Sequence, residues 1–282
     1  HVKRHSFPTR RSSDLVIDAP VAVGARPEGD DALSLAIARA QAWGLAGRLA
    51  DARAVLEEAL AITLGAEGEG AATSAARDER AADLVAEALT HLMVRRRQLG
   101  DAEAAIAAGE RAFSLLDEKD APHLYAANAA CLGLTFAEIG RPAEARRYDE
   151  RARDAFRSLG DRWGEGLVLG NLAQLAQAEG DLDGATRFAE AAIDAFRASR
   201  DPLYEGVYRG VGASIEREAG RLDAAQQGYD RAVALLSAGG ARHVEGIFRA
   251  QRSGLLAIRG AHDAARDELD LYAKSAEAPD ER

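Results

Sequence analysis

The chain has 282 residues, is 47% hydrophobic but only 5% aromatic, and carries a net charge of −10. This much apolar material can bury a core, and because alanine is abundant the composition predicts an all-α fold. The acidic balance argues against direct binding of nucleic acid and of anionic membranes. The single Cys131 excludes a disulfide within the chain and a cysteine-based zinc site, and we expect a cytoplasmic protein.

The first fifteen residues resemble a translated oligonucleotide more than a protein segment. Residues 5–15 match one reading frame of a common sequencing-adapter oligonucleotide, so we expect residues 1–15 to be an adapter artefact that is not native. Residues 16–29 contain two prolines and two glycines and read as a linker. We assign residues 30–277 to one helical repeat domain and residues 278–282 to a charged tail.

One six-residue motif recurs along the chain every 40 residues. Its copy at residues 100–105 is Gly-Asp-Ala-Glu-Ala-Ala, and related copies lie at residues 140–145, 180–185, 220–225 and 260–265. An earlier copy begins at Gly47. A period of 40 residues predicts a solenoid of stacked helical units. Glycine at each turn suits the left-handed residue that ends a helix.

Around these turns the pattern predicts about six helical hairpins, the first over residues 30–44 and 50–64. The other predicted helices cover 77–99, 102–117, 122–139, 142–158, 163–179, 182–198, 202–219, 222–237, 242–259 and 262–275. The second helix of each hairpin has one apolar stripe, which includes Ala145, Ala185 and Ala225. The first helices have an apolar stripe and also a stripe of small residues, such as Gly170 and Gly210, which predicts close helix crossings.

These features resemble the tetratricopeptide repeat. Residues 132–136, Leu-Gly-Leu-Thr-Phe, are similar to the Leu-Gly-x-x-Tyr core of that family, and Ala225 with Tyr229 has its Ala-x-x-x-Phe spacing. The period is 40 residues instead of about 34, which resembles MalT-type arrays of bacterial signalling ATPases, transcription regulators and kinase-linked proteins. The resemblance implies an α-α superhelix that binds proteins, peptides or effectors and is not an enzyme.

The residues themselves also offer no catalytic or cofactor chemistry. No phosphate loop, nucleophile elbow or dinucleotide fingerprint is present, so we expect no cofactor and no enzyme activity. His91, His123, His243 and His262 contain no pair at helical spacing, which excludes a locally assembled metal site. The basic run at residues 95–97 reads as solvated helix surface in an acidic chain.

Six residues remain as a candidate binding face between the two stripes of the first helices. They are His91, Leu134, Asn171, Gln174, Ser214 and Gln251. Neutral hydrogen-bonding groups beside apolar ones suit a peptide whose backbone needs partners. A second candidate is the charged edge formed by Glu205, Arg209, Glu245 and Arg249, for which helix-dipole and i,i+4 interactions are the alternative, structural interpretation.

Two functions stay open from the sequence. The first is a non-catalytic scaffold that binds a protein or peptide partner, as the sensor or docking region of a larger bacterial signalling or transcription regulator. The alternative is a small-molecule effector domain that switches an upstream ATPase, kinase or DNA-binding domain. An open groove favours the first function, and one enclosed pocket with converging polar groups favours the second. We also expect that the ends of the array can self-associate.

Overall fold

The computed structural model describes residues 30–66 and 75–277. The predicted adapter segment (1–15), linker (16–29) and charged tail (278–282) lie outside the described residues. Within the described ranges the chain forms twelve α-helices and no strand, which confirms the all-α prediction. The helices are α1 (Asp30–Leu45), α2 (Leu49–Ala66), α3 (Ala75–Gln98), α4 (Ala102–Leu115), α5 (Pro122–Glu138), α6 (Pro142–Leu159), α7 (Arg162–Ala178), α8 (Leu182–Ala198), α9 (Pro202–Glu218), α10 (Leu222–Ala238), α11 (Arg242–Ile258) and α12 (His262–Glu277).

Five helix pairs pack as the repeat predicts, namely α1 with α2, α3 with α4, α7 with α8, α9 with α10, and α11 with α12. Helices α1, α3, α5, α7, α9 and α11 are the first helices of hairpins, and the even-numbered helices are the second ones. In α6–α12, each helix packs against the one that follows it in sequence, so this part of the chain is a stack of helices. The chain divides into two compact units, residues 1–135 and residues 136–282, and the division falls inside α5.

The turn glycines have the predicted backbone conformation. The values of φ at Gly100, Gly140 and Gly180 are +83°, +77° and +82°, in the left-handed region that favours glycine. At the start of the next helix, the side chain of Asp181 accepts a hydrogen bond from the Gly184 N–H. Each hairpin turn therefore ends one helix with glycine and allows the next to begin within two residues.

Small residues allow the first helices of the second unit to approach closely. A Cβ atom on Gly170 would lie 2.0 Å from Cε1 of Tyr208, and one on Gly210 would lie 2.3 Å from Cε1 of Phe248. A larger side chain at either position would overlap an aromatic ring of the next first helix. The predicted small-residue stripe thus lies in the α7–α9 and α9–α11 contacts.

The predicted apolar stripes form the core. Ala145, Ala185 and Ala225 are fully buried, as are Phe196 and Tyr229. On α12, Leu269 and Tyr272 are 47% and 40% exposed, so this helix has apolar surface available for contact. Self-association through the ends of the array stays a prediction. No helix in the described part of the chain is long and apolar enough to cross a membrane.

Candidate binding face of the first helices

Two of the predicted residues meet in one polar cluster of the second unit. Ser214 Oγ on α9 lies 2.5 Å from Gln251 Oε1 on α11 and 3.0 Å from the hydroxyl oxygen of Tyr229 on α10. The Tyr229 hydroxyl also donates to Gln251 Oε1 at 3.1 Å. Tyr229 thus donates to the Gln251 carbonyl, whereas the single Ser214 hydroxyl proton has two acceptors in reach, this carbonyl and the Gly210 carbonyl at 3.0 Å. The amide N–H groups of Gln251 have no hydrogen-bond partner among the described residues.

A third predicted residue contacts a carboxyl group that the sequence analysis missed. Asn171 Nδ2 on α7 donates to Oδ1 of Asp149 on α6 at 3.4 Å. Asp149 is fully buried, and its Oδ2 has no hydrogen-bond partner in the described structure. Burial raises the pKa of Asp149 to about 8, although the Asn171 hydrogen bond and the charge of Arg146 act in the opposite direction.

The other predicted residues are not all in one place. Gln174 is exposed one turn after Asn171 on α7, in the second unit. Leu134 is half-buried on α5 and, with His91 on α3, belongs to the first unit. The second unit therefore holds four of the six predicted residues, on α7, α9 and α11.

His91 lies in a polar cluster between the first helices α1 and α3. Its Nε2 is 3.1 Å from Nε2 of Gln41 and 3.9 Å from Oε1 of Glu87. Burial, followed by the charge of Arg95, lowers the pKa of His91 to about 4. Arg95 itself is only 4% exposed. The prediction that residues 95–97 form solvated surface is therefore wrong for Arg95, because its guanidinium packs against Gly44 of α1.

The charged edge is a set of ion pairs. Nη2 of Arg209 lies 2.7 Å from Oε1 of Glu205, and the Arg249–Glu245 pair has the same distance. Glu245 is buried, and Nη1 of Arg249 also reaches Glu268 at 3.2 Å. These carboxylates already have cationic partners within the fold, which is what the structural interpretation predicts.

Two grooves lie elsewhere on the described surface. One of about 600 Å³ is lined by α2, α3 and α4, including Leu64, Leu89 and Arg96. Another of about 340 Å³ is lined by α6, α7 and α8, including Arg157 and Ala191. None of the six predicted residues lines either groove. The described residues also contain no group of histidine, cysteine and acidic side chains that could hold a metal ion.

Sequence reasoning missed Asp149, assigned Tyr229 only to an apolar stripe and placed Arg95 on the surface, although the period of 40 contains the signal for Asp149. Asp149 aligns with Ala189 and Tyr229 in the following hairpins, and all three are fully buried or nearly so. An aspartate on α6 is expected to be exposed, because most of the residues next to Asp149 in sequence are charged and exposed. Aligning the hairpins at 40-residue spacing would have marked it as a polar residue in a core position.

Comparison with known proteins agrees with this architecture. Residues 125–198 match the family model of the tetratricopeptide repeat. No curated protein matches the chain in sequence. Among solved structures, the apo form of RapI is similar with a TM-score of 0.65 and 12% identity, over 89% of this chain and 85% of that chain.

Two further solved structures have the same fold. BtubC from P. vanneervenii has a TM-score of 0.65 and 18% identity, over 89% of this chain and 95% of that chain. A Signal Transduction ATPase with Numerous Domains from Pyrococcus horikoshii, which has a tetratricopeptide repeat sensor, has a TM-score of 0.61 and 14% identity. That match covers 86% of this chain but only 38% of the ATPase chain. The chain therefore shares the helical-repeat fold of these structures, and its residues 125–198 match the tetratricopeptide repeat model.

Proposed function

We propose that this protein is a non-catalytic scaffold that binds a peptide segment of a protein partner through α7, α9 and α11. The observation that carries the proposal is the cluster of Ser214, Tyr229 and Gln251. The Tyr229 hydroxyl donates to the Gln251 carbonyl and the Ser214 hydroxyl lies beside it, so the amide N–H groups remain as oriented donors on a partly exposed face. A peptide carbonyl is a suitable acceptor for such donors.

The face also offers apolar contacts. Leu167, Val207 and Ile247 recur at 40-residue spacing, one on each of these three helices, and all are partly exposed. Gln174 adds an exposed amide on α7. Apolar side chains beside neutral hydrogen-bonding groups suit a segment that buries side chains while its backbone finds partners. A polyanion would need cationic side chains at these positions, and we expect no direct binding of nucleic acid.

We place the scaffold in the sensor or docking region of a larger signalling or transcription regulator. The similarity in fold to the sensor-bearing ATPase from Pyrococcus horikoshii supports this context. A small-molecule effector domain is the alternative. It lacks support from the two grooves described above, since neither is lined by the predicted polar residues.

The test is affinity capture from a native lysate with the wild type and with the double variant Gln174→Ala, Gln251→Ala. Losing desolvated amides should weaken binding by about 1–3 kcal/mol. Gln227→Ala, on the exposed surface of α10, is the matched control and should retain the wild-type partners. Asn171 is left unchanged because it is the hydrogen-bond partner of buried Asp149.

Three results decide between the alternatives. Loss of one protein partner from the double variant alone supports the proposed face. The same partners on all three proteins would place the site elsewhere, with the edge of Glu205 and Glu245 as the next candidate. A small molecule that copurifies with the wild type and not with the double variant would instead favour the effector domain.

A further inference from the structure

Arg95 occupies a position that is buried in every later hairpin. At 40-residue spacing the same position holds Thr135, Leu175, Ile215 and Leu255, which are 0%, 6%, 0% and 0% exposed, and the Thr135 hydroxyl donates to the Cys131 carbonyl. Arg95 is 4% exposed, so its side chain is as buried as theirs. A guanidinium in such a position is unfavourable unless an opposite charge compensates for its lost hydration.

That compensation is missing in the described part of the chain. The described residues place no carboxylate within ion-pair distance of Arg95, and its hydrogen bond is from Nη1 to the neutral Oε1 of Gln98, at 2.7 Å. The Nε atom is buried without a partner. Burial accordingly lowers the pKa of Arg95. The first unit thus contains a desolvated cation with an unused N–H donor.

His91, one turn earlier on α3, adds a second unused donor. Gln41 Nε2 lies 3.1 Å from His91 Nε2. An amide nitrogen can only donate, so His91 Nε2 accepts and the ring proton lies on Nδ1. This Nδ1–H has no partner among the described residues. The low pKa of His91, about 4, agrees with a neutral ring.

We propose that Arg95 and His91 form a binding site for a carboxylate between α1 and α3. A guanidinium presents paired donors that match a carboxylate, and the imidazole N–H adds a third donor. One negative charge balances the one uncompensated positive charge. A phosphate dianion suits the site less well, because Glu87 Oε1 lies 3.9 Å from His91 Nε2. This site is independent of the peptide face proposed for the second unit.

The carboxylate can come from a free organic acid or from a peptide, and the experiment separates these sources. The ring resonances of His91 are followed by NMR while the protein is titrated with acetate, with a short neutral peptide that ends in a free carboxylate, or with the amidated form of that peptide. We expect saturable shifts and a higher pKa of His91 with acetate. The amidated peptide should have no effect. Tighter binding of the free peptide than of acetate identifies a partner chain as the source, and equal binding identifies a small acid.

Substitutions of Arg95 test whether the site depends on its charge. Arg95→Leu should abolish the response to acetate and, by removing a buried unpaired charge, raise Tm by about 2–4 °C. Arg95→Lys keeps the positive charge but loses the paired N–H donors of the guanidinium, and this variant should bind acetate about tenfold more weakly. Arg111→Leu, at an exposed arginine of α4, is the matched control and should respond as the wild type does. If Arg95→Leu does not fold, Arg95→Gln gives the same comparison.

Several outcomes would overturn the site. His91 resonances that do not change in millimolar acetate, or that change equally in the wild type and Arg95→Leu, exclude it. A lower Tm for a folded Arg95→Leu means that the guanidinium holds α1 and α3 together as a structural group. Tighter binding of inorganic phosphate than of acetate would overturn the assignment to a carboxylate.

Discussion

Two regions of the second unit, the beginnings of α7, α9 and α11 and the middle of α6, hold carboxyl groups in different surroundings. At the beginnings, Glu165, Glu205 and Glu245 recur every 40 residues, and each lies within 2.8 Å of an arginine nitrogen. In the middle of α6, Asp149 is unique to its hairpin and has only the Asn171 amide as a hydrogen-bond partner. A buried charge that recurs with a cationic partner belongs to the architecture. A buried carboxyl group that occurs once and has no cationic partner is a candidate for function.

The largest effect that we expect from the difference between Asp149 and the paired glutamates is on the pH dependence of stability. The pKa of Asp149 is about 8 in the folded protein against an ordinary value of 3.8, with burial as the main cause. Between these values the folded state binds more protons than the unfolded state. The free energy of unfolding should therefore fall as pH rises from about 4 to about 8, by up to about 1.4 kcal/mol per pH unit, and then level off.

The variant Asp149→Asn isolates this contribution. Urea unfolding at several pH values should give a difference between wild type and variant that changes through this interval and is constant above it. Contributions of other groups, such as His91 in the first unit, cancel in the difference. A difference that does not depend on pH would mean that Asp149 titrates normally and that the contrast with the glutamates is not one of charge.

The next test removes a carboxylate that has two largely buried arginine partners. Glu268 on α12 joins Arg249 and Arg252, whose side chains are only 16% and 15% exposed. Glu268→Ala removes the acceptor that both arginines share, while Arg249 keeps Glu245 and Arg252 keeps Asp230, and should cost about 1.5–3 kcal/mol. Glu165 also has two arginine partners, but Arg157 and Arg162 are 59% and 57% exposed, so that Glu165→Ala should leave both solvated. Denaturant unfolding of the two variants compares them directly, and equal losses would contradict the dependence on burial.

A smaller effect is expected at the single partner of Asp149. Asn171→Ala removes the hydrogen bond to Asp149 Oδ1 and leaves the buried carboxyl group with no partner. We expect a loss of about 1–3 kcal/mol in the free energy of unfolding. Adding Asn171→Ala to Asp149→Leu should cost less than adding it to the wild type, because the orphaned group is then absent. A double-mutant cycle with no coupling would show that the 3.4 Å contact does not stabilise the fold.

The same comparison explains what the sequence could and could not predict. The hairpins and their turn glycines follow from periodicity and from the backbone freedom of glycine at Gly100 and Gly140, and every described helix boundary agrees within two residues. The partners of Gln251 and Asn171 depend on which side chains meet between helices. Arg95 was misread because a run of three arginines usually indicates surface, whereas the 40-residue register aligns Arg95 with residues that are buried in every later hairpin.

The smallest test concerns a loop in which one residue departs from the repeat. Gly160 and Gly240 end their helices with φ of +69° and +68°, and Arg200 adopts +58° at the corresponding position between α8 and α9. A residue with a Cβ atom is strained there, so Arg200→Gly should raise the free energy of unfolding by about 0.5–1 kcal/mol. The converse change, Gly160→Arg, should lower it by a similar amount. Thermal unfolding of both variants shows whether each change raises or lowers the stability. A loss of stability in Arg200→Gly would mean that the contacts of the Arg200 side chain stabilise the fold by more than its backbone strain destabilises it.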